Sequence, residues 1–210
     1  MDLMQTLDSY FGGWSFTFTT LPPLEALQAM EAVSIRPIEN PLEALREEED
    51  EGLAEDGVLL VAGRVHPGWS IIVETSGYTG LVGAERSVLL ELCSAEHPAM
   101  TVFKNPNRLE LLYADLDDRW GGMALDSGIR WGEMSPPVSA ALTAAGFLPD
   151  GQGISTEIAD RAYNDLAQRA IAAATGVFLD DVETAGGCWA SGMVLAETAR
   201  TQVSRSRSLR

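Results

Sequence analysis

Residues 14–20, Trp-Ser-Phe-Thr-Phe-Thr-Thr, place an aromatic at every second position with small residues, mostly hydroxyl-bearing, between. That period of two predicts a strand with one face in a core. Two further apolar runs, 58–62 and 70–74, flank His66-Pro67-Gly68. Pro followed by Gly presets a tight turn, so these runs are expected to pair. The same arrangement recurs with 99–103 and 109–114 about Asn105-Pro106-Asn107, where Leu109, Leu111 and Tyr113 alternate to one side. A third strand is expected over 120–125, after the turn Asp115-Leu-Asp-Asp118, read as solvated.

Between these runs the period lengthens to that of a helix. Pro22-Pro23 open one through Val33 with Leu24, Leu27 and Met30 on its apolar stripe. Another runs from Leu81 to Glu96, with Ala84, Val88, Leu89, Leu92 and Cys93 on one face. Pro41 can start a short helix to Arg46, and a small-residue helix is expected over 138–147. The longest spans 155–174, with Ser155 as N-cap, the stripe Ile158, Ala162, Leu166 and Ala170, and Gly176 after its end. Close-set strand pairs separated by helices predict an α+β domain: an antiparallel sheet of about five strands with helices packed on one face. The expected domain covers residues 1–180. Residues 181–210 read as a weakly patterned Gly-rich segment followed by a basic Ser/Arg tail, and the tail from Thr201 is expected to be disordered.

Charge alters this picture more than composition does. The 210 residues carry 31 acids against 14 bases, of which Lys104 is the single lysine. Four arginines fall in residues 200–210, so residues 1–199 hold a net charge of −21. Such a body repels phosphate backbones, and direct nucleic-acid binding is not expected. Residues 39–56 hold nine acids against Arg46, including the run Glu47-Glu48-Glu49-Asp50-Glu51. Adjacent like charges cannot be buried, which makes this an acidic surface loop inserted in the domain. No apolar run reaches the ~18–20 residues of a membrane span. Without a leader-like N-terminus, the two cysteines, Cys93 and Cys188, are expected as free thiols in a cytoplasmic protein.

The chemistry is sparse. Cys93, Cys188, His66 and His97 fall in no metal-ligand spacing, and no nucleophile stands with a general base. No phosphate-cradling glycine loop is present, so no metal, nucleotide, flavin or other cofactor is expected and no catalytic residue is assigned. Two constellations remain as candidate binding residues. Glu74 ends a strand before a glycine-flanked loop carrying Tyr78, and the 105–107 turn offers Asn105 and Asn107. Acids at strand ends serve active sites, and they also cap the loops that follow.

The segment Gly68-Trp-Ser-Ile-Ile-Val-Glu-Thr-Ser-Gly-Tyr-Thr-Gly80, the following helix and Val102-Phe-Lys-Asn-Pro-Asn107 together resemble an actinobacterial family of domains of unknown function. That family carries a G-G-W-x-hydrophobic-E-x-N-G-x-x-G segment before a helix and an N-x-N turn. The resemblance takes in residues 14–180, including Arg130-Trp131-Gly132. This chain departs from it at Thr75-Ser76, in the acidic loop and in the tail. The resemblance implies an α+β architecture and a cytosolic setting, and no activity.

Two functions are therefore expected in competition. One is a non-enzymatic acidic binding protein, immunity- or regulator-like, engaging a basic protein partner through Glu47, Glu48, Glu49, Asp50 and Glu51. The other is a small enzyme or ligand-binding domain with a cleft around Glu74, Tyr78, Asn105 and Asn107.

Overall fold

A computed structural model describes residues 4, 7, 13–45, 57–66, 68–74, 82–94, 97–149, 152–179 and 188–195. The run Glu47-Glu48-Glu49-Asp50-Glu51, Tyr78 and the Ser/Arg tail lie outside these residues. The strands are β1 (Trp14–Thr19), β2 (Val33–Ile38), β3 (Gly57–His66), β4 (Trp69–Glu74), β5 (Ala99–Asn105), β6 (Arg108–Ala114), β7 (Trp120–Ala124), β8 (Arg130–Gly132) and β9 (Trp189–Leu195). The helices are α1 (Pro23–Ala29), α2 (Arg86–Glu91), α3 (Pro136–Ala144) and α4 (Tyr163–Thr175). A 3₁₀ turn, Val82–Ala84, precedes α2, and residues 41–45 are helical. Asn40 caps that last turn, its Oδ1 accepting the N–H groups of Leu42 and Glu43.

The strands form one nine-stranded antiparallel sheet in the order β2-β9-β3-β4-β1-β5-β6-β7-β8. The expected hairpins are present: β3–β4 with His66 opposite Trp69, and β5–β6 with Asn105 opposite Arg108. The expectation of about five strands with helices on one face is overturned on both counts. β2, β8 and β9 extend the sheet, and helices cover both of its faces. Trp14, Phe16 and Phe18 of β1 join Leu109, Leu111 and Tyr113 of β6 in a core closed by α3 and α4. On the other face Ile72, Phe103 and Leu112 pack with Ala26, Leu27 and Met30 of α1 and Val88, Leu89 and Leu92 of α2. Leu24, expected on the α1 stripe, is exposed instead.

The missed strands have physical reasons. β2 is an edge strand, largely exposed and interrupted by Pro37, so it shows no alternation. β9 lies between β2 and β3 with both faces covered, so it too lacks a polar side. Its Trp189 indole occupies the space a side chain at Gly63, its register partner, would take. Residues 189–195, placed by composition in a segment beyond the domain, therefore sit inside the sheet. The longest helix begins at Tyr163 rather than after Ser155, and ends as expected on Gly176 at φ 75°.

Candidate functional site

β1 is buried on both sides, so its hydroxyl-bearing positions cannot face water. Each small polar side chain of this face needs a protein partner. Thr17 and Thr101 share a hydroxyl–hydroxyl bond of 2.8 Å, and Thr101 Oγ1 donates to the Gly83 carbonyl at 2.6 Å. Thr19 Oγ1 donates to the Leu92 carbonyl at 2.6 Å, and Ser70 Oγ to that of Leu21 at 2.7 Å. The polar row on the sheet thus holds the backbone of the Val82–Ala84 turn, the end of α2 and the start of the 21–30 segment.

Glu74 belongs to this row. It is 1% exposed, and its two oxygens accept the N–H groups of Val82 (2.8 Å) and Gly83 (2.9 Å). Burial raises its pKa to about 7 against the downward pull of those two N–H groups. Ser15, its register partner, pulls weakly the same way, although its Oγ lies outside hydrogen-bonding geometry and has no partner. Gly83 is required by close approach: a Cβ there would run into Thr17 Oγ1 and come within 2.9 Å of Glu74 Oε1. Glu74 is therefore the cap of the turn that follows its strand.

The 105–107 turn does not join it. Ser15 is opposite both Glu74 and Phe103, which puts β4 and β5 on either side of β1, about 10 Å apart. Asn105 lies two residues past Phe103, and its Oδ1 accepts the Asn107 N–H at 2.9 Å. Asn107 is exposed. Among the described residues of the expected cleft, both Glu74 oxygens and Asn105 Oδ1 accept backbone N–H groups.

Two other regions concentrate chemistry. In the first, Tyr113, Asp115, Arg119 and His97 line a cleft of about 270 Å³ with Ser94, Ser135 and neighbouring prolines. Tyr113 donates its hydroxyl to Asp115 Oδ2 at 2.5 Å, and Arg119 Nε donates to the same oxygen at 2.7 Å. Asp115 Oδ1 accepts the N–H groups of Asp117 and Arg119. Burial opposes ionisation of Asp115, but the Tyr113 and Arg119 donors win and hold it below the usual carboxylate range. Burial, then the hydrogen bond to Asp115, pushes the Tyr113 phenol up. The turn read as solvated is in fact built round a buried carboxylate with four donors.

The second region is an open groove of about 580 Å³ over β5–β8, lined by Ala84, Phe103, Arg108, Glu110, Leu112, Trp120 and Trp131. Register places Phe103 beside Glu110, and Leu112, Gly122 and Trp131 in one row. The Trp131 indole lies directly over Gly122, where a Cβ would collide with its ring. It meets Trp120 edge-on at a centroid distance of 5.5 Å and stays 38% exposed. Sequence reasoning assigned no site role to Trp120 or Trp131. The available signal was the run Trp120-Gly-Gly, in which a strand gives up two side chains beside one aromatic and opposite another.

Among the described residues no group of three His, Cys, Asp or Glu side chains could hold a metal ion. No helix among them is long and apolar enough to cross a membrane. No family model, no curated protein and no solved structure matches this chain.

Proposed function

We propose that this chain is a non-catalytic binding protein that presents an acidic surface to a basic protein partner in the cytosol. The observation that carries the reading is the use the fold makes of its cations. Arg130 donates to Ser139 Oγ, Thr143 Oγ1 and the Phe147 carbonyl. Arg169 Nε donates to the Ala145 carbonyl at the end of α3. Arg119 is held by Asp115 and Asp117, and Arg86 by Asp118. Of the acids among the described residues, only Glu74 and Asp115 are buried. A chain already at −21 over residues 1–199 thus spends several of its few arginines on its own carbonyls and turns, and leaves most of its described carboxylates exposed. A field of that sign speeds the approach of a basic surface and repels nucleic acid.

Purification from the native host at two salt concentrations, followed by reconstitution with the purified captured protein, tests the proposal. A basic protein binding in fixed ratio, with an association rate that falls as salt rises, supports it. Captured proteins that are neutral or acidic, or a rate indifferent to salt, would overturn it. Replacing Glu47, Glu48, Glu49, Asp50 and Glu51 by Gln and Asn should slow association, most strongly at low salt. Equal rates for this variant and the wild type at low salt would remove the 47–51 run from the interface.

A further inference from the structure

We propose that the groove between Phe103, Trp120 and Trp131 seats an arginine side chain of the basic partner, with Glu110 as its counter-ion. The inference rests on the acidic-binding reading above and names the place where it acts. Three aromatic rings line one open groove, and two of them are indoles, whose faces attract cations most strongly. Glu110 stands in the same wall, opposite Phe103 in register, with its side chain 19% exposed. A carboxylate so placed is partly desolvated yet within reach of a ligand. Its partner within the chain, Arg108, approaches only to 3.7 Å and is 65% exposed. That distance is too long for a hydrogen bond, so Arg108 is a loose occupant that an incoming guanidinium can displace from Glu110.

Arginine fits better than lysine. Its planar guanidinium can stack on the Trp131 indole while its N–H groups reach the carboxylate, whereas an ammonium would act as a hydrated point charge. Trp131 is accessible because of the sheet itself. Its indole lies against Gly122, where no side chain displaces it, and the residue stays 38% exposed beside Trp120.

The test uses the intact chain and N-acetyl-arginine amide, with N-acetyl-citrulline amide as the neutral isostere. The indole N–H resonances of Trp120 and Trp131 are followed by NMR, assigned by single Trp→Phe variants. Saturable shifts at both indoles with the arginine probe, and at least about tenfold weaker binding of the citrulline probe, are expected. Glu110→Gln should weaken the arginine probe by about tenfold, and Arg108→Ala should tighten it, because a competing cation is gone. Equal binding of the two probes, unmoved indole resonances, or weaker binding to Arg108→Ala would each overturn the proposal. A groove that prefers neutral polar ligands, using Arg108 as a donor, would give that last result. The outcome is separate from that of the partner test. A salt-dependent basic partner together with silent indoles would sink the groove and leave the acidic-binding reading standing.

Discussion

Glu74→Gln separates the two forces acting on the buried carboxylate. In the wild type, burial favours the neutral acid and the N–H groups of Val82 and Gly83 favour the anion; burial prevails, with a pKa of about 7 against 4.5 for an exposed glutamate. Between these two values the folded protein holds a proton that the unfolded chain has released. Stability from this group is therefore present in full below pH 4.5, falls as pH rises, and is flat above about 7. The loss across the window is about 3 kcal/mol at roughly 1.4 kcal/mol per unit. Glutamine keeps the shape and removes the titration. Its single carbonyl can accept one of the two N–H groups, and the amide nitrogen faces the other, leaving a buried donor unpaired at a cost of about 1–3 kcal/mol. The variant should be the less stable protein near pH 5 and should draw level with or pass the wild type near pH 8. Urea unfolding of both proteins from pH 4.5 to 8.5 at constant ionic strength measures the difference, in which the other acids cancel. A difference that does not change with pH would refute the reasoning. It would show that Glu74 is already ionised in the fold at pH 5 and that the two N–H bonds outweigh burial.

Gly83→Ala should destabilise by about 1–3 kcal/mol, because the new methyl meets Thr17 Oγ1 and presses on the Glu74–Gly83 contact; an unchanged melting temperature would place the Val82–Ala84 turn further from the sheet. Tyr113→Phe removes one of the four donors of Asp115 and should cost about 1.5–3 kcal/mol above pH 4. Asp115 is held below its ordinary value, so its contribution is lost as pH falls below the usual range; the Tyr113→Phe penalty should shrink there, as acid titration followed by circular dichroism would show. Trp14 is fully buried against Phe16, and Trp14→Ala should cost about 3–5 kcal/mol by urea unfolding.

How much was legible in the sequence depended on whether the information was local. The aromatic alternation of 14–19, the Pro-Gly and Asn-Pro-Asn turns and the apolar face of 82–92 each sit within a few residues of one another. The strand and the two hairpins appear where the pattern put them, while the helix expected over 81–96 is shortened to a 3₁₀ turn over 82–84 and α2 over 86–91. The packed aromatic Trp14 was legible for the same reason. Strands β2, β8 and β9 were not, because an edge strand with a proline, a three-residue strand and a strand covered on both faces lack the period-two signal. The count of helix-covered faces was hidden in the β1 hydroxyls. Thr17 and Thr19 look solvent-facing in one dimension, and they are buried because other segments supply their hydrogen-bond partners.

The candidate sites divide along the same line. Charge is a sum over residues, so the sequence alone determined that residues 1–199 stand at −21. Where that charge is compensated is a matter of contact. Only the tertiary structure turned Arg130 and Arg169 toward backbone carbonyls and wrapped Asp115 in donors. Glu74 offered the same carboxylate to either reading from the sequence, as a loop cap or as an active-site acid. Only the tertiary structure shows the capping: two backbone N–H groups eight and nine residues away take one oxygen each. Trp120 and Trp131 became neighbours through the β7–β8 pairing, which lays one indole over Gly122 and beside the other. Composition determines the net charge of the chain; the register of the sheet decides which side chains meet.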